Sequence, residues 1–106
     1  MIDNNVLGLI GLAMRAGKVS FGADSVEEEC KKKKVKLLII AQDASERTKN
    51  KFKNIGTQYN IPIILDSNIE ELSKRIGKNN KAILGIKDSS FAESIQKKYN
   101  GGDVIG

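Results

Sequence analysis

The sequence predicts an α/β protein, a single-domain three-layer α/β/α sandwich built on a small mixed sheet of four strands. Three observations carry that expectation. Segments with helical apolar spacing alternate along the chain with short apolar runs, the pattern of helices packed on both faces of a sheet. The run LLIIA at 37–41 is unbroken, as a central strand covered on both faces requires. Glycine and proline breaks fall between these segments, and no linker, internal repeat or low-complexity stretch divides the 106 residues, a length that suits one hydrophobic core.

The elements follow in order. Residues 6–16 (VLGLIGLAMRA) are apolar around most of a helix, so the first helix is expected to be buried on more than one side, with Gly17 ending it as the residue just past the cap. Residues 18–21 form a first short strand, and Gly22 turns the chain. Ala23, Val26 and Cys30 share one face of a second helix, which exposes Asp24, Ser25, Glu28 and Lys32. After the strand at 37–41, Asp43 is placed to cap a third helix with Glu46 three residues on. Phe52, Ile55 and Tyr59 point that helix inward. Ile61 before Pro62 is forced to extended geometry, and a third strand at 63–65 follows. Ser67 with Glu70 repeats the capping spacing for a fourth helix that buries Ile69, Leu72 and Ile76. Gly77 stops it, and a polar loop leads to the last strand at 82–86. Asp88 or Ser90 opens a final helix carrying Phe91, Ala92, Ile95 and Tyr99 on one side. The glycine-rich residues 100–106 are expected to be a mobile tail.

Composition narrows the function. Eighteen Lys and Arg against thirteen Asp and Glu leave a net charge of +5, which favours a polyanionic partner. There is no histidine, so the commonest general base and metal ligand are both missing. The lone Cys30 lacks a partner for catalysis and fits a small core residue; a chain with one cysteine is at home in a reducing cytoplasm. Gly8 and Gly11 lie inside a helical pattern with no strand before them, which suits close helix packing and not a dinucleotide fingerprint. No GxxxxGK[ST] phosphate loop is present. The expectation is a non-catalytic, cytoplasmic monomer that needs no metal or cofactor and has no membrane-spanning segment, its longest apolar runs being far too short.

The second helix is acidic at its start (Asp24, Glu27, Glu28, Glu29) and followed by lysines at 31–34 and 36. Helix electrostatics account for much of this, because each end complements the macrodipole by roughly 0.3–1 kcal/mol. The pairs Glu27–Lys31, Glu28–Lys32 and Glu29–Lys33 are in the favoured order as well, worth about 0.2–0.5 kcal/mol each. Function is expected elsewhere, from convergence. In an alternating sandwich the turn at Gly22, the loop at Gln42 and Asp43, and the loop at 77–81 come to one end of the sheet. Lys18, Lys32, Lys36, Lys78 and Lys81 would supply phosphate contacts there, and Asp24, Ser25, Asn79 and Asn80 would reach base edges. With the few aromatic residues on core faces, a structured RNA is a better partner than a stacked single strand.

These residues resemble the ribosomal protein L-seven-Ae family of kink-turn RNA-binding proteins, in particular its short bacterial homologues. The likeness runs from about Leu7 to Tyr99. It rests on GLIGLAMRAGKV, on Gly22 after the first strand, on KLLIIAQDAS, on the Ile61-Pro62 break and on EELSKRIGK. It implies an α/β/α sandwich whose RNA is gripped by a segment of pattern G-x-N-E-x-x-K. Gly22 matches the glycine, whereas Asp24, Ser25 and Glu28 stand at the Asn, Glu and Lys positions. The resemblance also implies that the loop from Gly77 to Ile83 covers a flipped-out nucleotide, with kink-turn-like or ribosomal RNA as partner and the ribosome as the setting. With three signature positions changed, an altered or weaker RNA code is expected. The competing reading is a protein-interaction module on the same fold, its acidic helix start facing the partner.

Overall fold

A computed structural model of the chain describes residues 2–99; the expected tail at 100–106 lies outside the described residues. The order is α1 (Asn4–Arg15), β1 (Val19–Phe21), α2 (Ala23–Lys31), β2 (Leu37–Ile40), α3 (Glu46–Tyr59), β3 (Ile63–Leu65), α4 (Ile69–Arg75), β4 (Ile83–Ile86) and α5 (Ser89–Tyr99). The strands lie in the order β1-β4-β2-β3. β4 runs antiparallel to β1 and β2, and β2 runs parallel to β3, so the sheet is mixed.

The pleat of β2 divides the core in two. Leu37 and Ile39 face α1, α4 and α5, where Val6, Ile10, Leu72 and Ile95 are buried. Leu38 and Ile40 face α2 and α3, against Val26, Cys30, Phe52 and Ile55. Side chains on a strand alternate sides, so one apolar run fills two layers. This is the α/β/α sandwich that the sequence predicts. Gly85 in β4 opens room on the α2 side: a Cβ there would stand 3.1 Å from Val35 and 3.3 Å from Val26.

Three local expectations differ from what is found. α1 keeps Leu12 exposed, so it is buried on one broad face and not all round. Ala23 is exposed, because the first turn of α2 projects past the end of the sheet. The capping residues are shifted as well. Ser45, not Asp43, caps α3 by accepting from the Thr48 N–H at 3.1 Å, and Asn68, not Ser67, caps α4 by accepting from Glu71 N–H at 2.8 Å. In both cases the side chain one or two positions nearer the helix has the shorter reach to its first-turn amides. Gly17 and Gly77 do follow the last helical residues with positive φ, of 73° and 70°.

Cys30 is fully buried, and burial, then the nearby Glu27 and Glu29 charges, pushes its thiol up to about 11. It is an inert core residue at neutral pH. At the other end of α5, Tyr99 donates its hydroxyl to the buried Asp66 at 2.8 Å. Burial pushes the Asp66 carboxyl up, but hydrogen bonds from Tyr99 and from the Ser67 N–H oppose it, and the carboxyl lies below its ordinary value of 3.8. The same bond raises Tyr99 above 10.0. The pair therefore stabilises the fold fully between those two ordinary values, and loses its contribution as acid protonates Asp66 or alkali ionises Tyr99. Tyr99→Phe is expected to lower stability by roughly 1.5–3 kcal/mol at neutral pH, with the deficit shrinking as acid protonates Asp66. Urea unfolding of both proteins at neutral pH and along an acid series checks this; a deficit that stays constant across the whole series would assign the loss to packing.

Candidate nucleic-acid interface

The sheet topology decides what meets what. β1, β2 and β3 all finish at one end of the sheet, and β4 begins there. The turn at Gly22, the loops after β2 and β3, and the loop before β4 are therefore gathered on a single edge. Backbone bonds knit them: Gly22 N–H donates to the Ile83 carbonyl at 3.0 Å, Ala41 N–H to the Ala82 carbonyl at 2.9 Å, and Gln42 N–H to the Ser67 carbonyl at 3.0 Å.

Gly22 has φ 86° and ψ 150°, a conformation that only glycine adopts without strain. It is the N-cap of α2, and no side chain caps this helix. The other described helices are capped by Asp3, Ser45, Asn68 and Asp88. The first-turn amides of α2, at Ala23, Asp24 and Ser25, thus face outward at the positive end of a helix dipole, and all three residues are exposed. Asp24 complements that dipole from within the first turn.

Beside Gly22 the half-buried ring of Phe21 is flanked by two cations. Lys78 Nζ lies 5.2 Å and Lys81 Nζ 5.7 Å from the ring centroid. Lys81 also leans over Gly22, where an added Cβ would meet its Nζ at 3.7 Å. The loop that carries both lysines is held from beneath by the buried Ser73, whose Oγ accepts from Lys81 N–H at 2.7 Å and whose hydroxyl donates to the Lys81 carbonyl at 3.2 Å. Asn80 takes a left-handed φ of 54°, and the exposed Asn79 and Asn80 form a bend at this edge. Asp43 reaches across to α4 and accepts from Ile69 N–H at 2.8 Å, tying the β2 loop to the same edge. The open depression between Asp43, Ser73, Lys74 and Asn80 has a volume of about 910 Å³.

Of the residues singled out in the sequence, Gly22, Asp24, Ser25, Asp43, Lys78, Asn79, Asn80 and Lys81 are brought together. Ile83 is at the same end, but its side chain is buried at 1% exposure and only its backbone borders the edge. Glu28 sits midway along α2 on the face of Asp24 and Ser25, exposed and paired with Lys32 at 3.2 Å. Lys18, Lys32 and Lys36 are at the opposite end of the sheet. β1 enters at Lys18 and leaves at Phe21, and α2 runs back from Gly22 for nine residues, roughly 13 Å, before reaching Lys32. Convergence of these three with Gly22 is therefore corrected by the direction of the strands. Phe21 and Ser73 were not singled out. An aromatic residue immediately before the turn glycine is the one sequence signal for the first; nothing local marks the second.

Residues 4–96 match one family model, that of the ribosomal protein L7Ae/L30e/S12e/Gadd45 family. The chain belongs to this family. Among L7Ae-family relatives, it is 37% identical over 95 residues to RNA-binding protein YlxQ of Enterococcus faecium, covering 90% of this chain and 91% of that protein. It is 32% identical over 87 residues to RNA-binding protein YlxQ of Bacillus subtilis (strain 168), covering 82% and 87%. A solved protein of unknown function from Bacillus halodurans superposes with a TM-score of 0.88 at 30% identity, over 92% of this chain and 99% of that one. The Giardia lamblia 15.5kD RNA binding protein shares the fold, with a TM-score of 0.77 at 14% identity over 97% and 94%. Among the described residues, no three metal-ligating side chains cluster, and no helix is long and apolar enough to cross a membrane.

Proposed function

We propose that this chain is a non-catalytic, cytoplasmic RNA-binding protein that takes a structured, kink-turn-like RNA on the Gly22 end of its sheet as a monomer, in association with the ribosome. One observation carries this reading: the uncapped start of α2 at a positive-φ glycine lies directly beside two lysines arrayed on Phe21. Free amides and the dipole there suit a phosphate or a base edge approaching the backbone. Lys78 and Lys81 neutralise flanking phosphates, while Asp24, Ser25, Asn79 and Asn80 offer short polar groups to unpaired bases. Family membership, and relatives named as RNA-binding proteins, support the reading.

The test is a titration with a kink-turn RNA and an unkinked control of equal length, each at two salt concentrations. The expected result is preference for the kinked RNA by at least tenfold. Equal affinity with a steep salt slope would reduce the activity to generic polyanion attraction. Binding to neither, with a stable protein partner recovered from lysate, would favour an interaction module that uses the acidic face of Asp24 and Glu28.

A residue-level prediction accompanies it. Glu28→Lys removes an anion from the α2 face below Gly22 and frees Lys32 from its ion pair. Kink-turn affinity is expected to rise severalfold, moderated by screening over about 8–10 Å at physiological salt. An unchanged dissociation constant would count against Glu28 lying near the RNA.

A further inference from the structure

We propose that the opposite end of the sheet is a second RNA-contact surface, which grips the phosphate backbone of a different segment of the RNA held at the Gly22 end. This rests on the RNA reading above. The pairing registers set Lys18, Lys87 and Lys36 side by side. Val19, Ile86 and Leu37 are partners across β1, β4 and β2, and each lysine is one residue beyond its partnered end. Lys87 N–H donates to the Lys18 carbonyl at 2.8 Å, and Lys36 N–H to the Ile86 carbonyl at 2.7 Å. Three lysine backbones thus lie side by side, at the spacing of about 4.8 Å that separates neighbouring strands. The turn after α2 adds Lys33 and Lys34 above the row, with Lys36 Nζ 3.5 Å from the Lys33 carbonyl.

Helix electrostatics explain only part of this cluster. Lys31 and Lys32 form the expected pairs with Glu27 and Glu28, at 3.8 and 3.2 Å. The third expected pair, Glu29–Lys33, is not formed. Lys33 has left the helix in a left-handed conformation, φ 60°, and Glu29 instead meets Lys87 at 3.7 Å. The other acid at this end, Asp88, accepts from Phe91 N–H as the cap of α5. Among the described residues, no acid is within ion-pair distance of Lys18, Lys33, Lys34 or Lys36. Lys33 and Lys36 also border a cleft of about 410 Å³ floored by Tyr59 and Ile61, so the charge rims a concavity. Adjacent unpaired cations repel one another in the free protein and are relieved by a polyanion. The two ends are six residue steps apart along β4, from Lys81 to Lys87, about 20 Å. A single short RNA element at the Gly22 end does not span that distance, whereas a longer arm running down the flank of α2 does.

The test uses the full chain and the variant K18Q/K33Q/K34Q/K36Q with two probes. One is a kink-turn hairpin with arms of a few base pairs; the other is the same hairpin with one arm extended by a dozen base pairs. For the extended probe, affinity is expected to fall at least tenfold and the salt slope to drop by about three, since each of the four neutralised phosphates contributes about 0.7–0.9. Binding of the short probe is expected to be unchanged, and the thermal midpoint of the variant unchanged or higher. Equal affinity of both proteins for the extended probe would overturn the proposal, and so would an equal loss on both probes. If the short probe fails to bind the native chain, the function proposed for the Gly22 end falls. Lysine-dependent binding of the extended probe would then still support this second surface.

Discussion

Replacing Lys78 and Lys81 together by alanine is expected to weaken kink-turn RNA binding roughly 25- to 60-fold at about 0.1 M salt. The estimate follows from counterion release: one phosphate contact contributes about 0.7–0.9 to the salt slope, hence about five- to eightfold in affinity at that concentration. The slope itself should fall by about 1.5. The fold should survive, because the loop is held by Ser73 and by the Gly22–Ile83 bond, neither of which uses a lysine side chain. What is lost from the free protein is two exposed contacts with Phe21, each worth about 0.5–1 kcal/mol. Fluorescence anisotropy across a salt series, beside a thermal melt, separates the two effects. An unchanged slope would show that these lysines meet no phosphate, and would move the interface away from this edge.

The second large effect is on stability. Phe52→Ala is expected to destabilise the domain by about 3–5 kcal/mol, a substantial part of the 5–15 kcal/mol typical of such domains. Phe52 is completely buried between α3 and β2, in the half of the core that also holds Leu38, Ile40 and Ile83. Its removal leaves a cavity that rigid strands on one side and α2 on the other do not close. The melting midpoint should drop by on the order of 15–25 °C. Leu12→Ala is the control: that leucine is 48% exposed on α1, and its loss should change stability by under about 1 kcal/mol. Calorimetry on both variants measures the contrast. Similar midpoints for the two would mean that the α2/α3 half of the core repacks freely around the missing ring.

The fold was legible because its signals are local and redundant. LLIIA reads as a two-sided strand from its apolar run alone, and Leu37 to Ile40 are all fully buried. Val26 with Cys30, and Phe52 with Ile55, show their buried faces through helical spacing. Caps were less legible, because Asp43, Ser45, Ser67 and Asn68 are all good cap residues. Which one serves depends on where the strand before it ends. Asp43 is released from α3 by Ser45 and spends its carboxylate on the Ile69 amide, twenty-six residues away. The pairs along α2 were readable up to Lys32, but Lys33 lies past the helix end, and that end is set by the left-handed turn and not by charge.

The candidate site shows the same division more sharply. The sequence by itself determined the layers of the sandwich, the turn glycine at 22, the polar loop before the last strand and the family. Those depend on properties a residue keeps in any context: its hydrophobicity, its allowed φ, its charge. Only the tertiary structure decided which lysines stand together. The antiparallel run of β4 between β1 and β2 sends Lys78 and Lys81 to the Gly22 end and Lys18, Lys36 and Lys87 to the other. Strand direction and order are properties of pairing across the sheet, so residues four positions apart, such as Lys18 and Gly22, finish at opposite ends. Residues nearly sixty apart, such as Gly22 and Lys81, finish in contact.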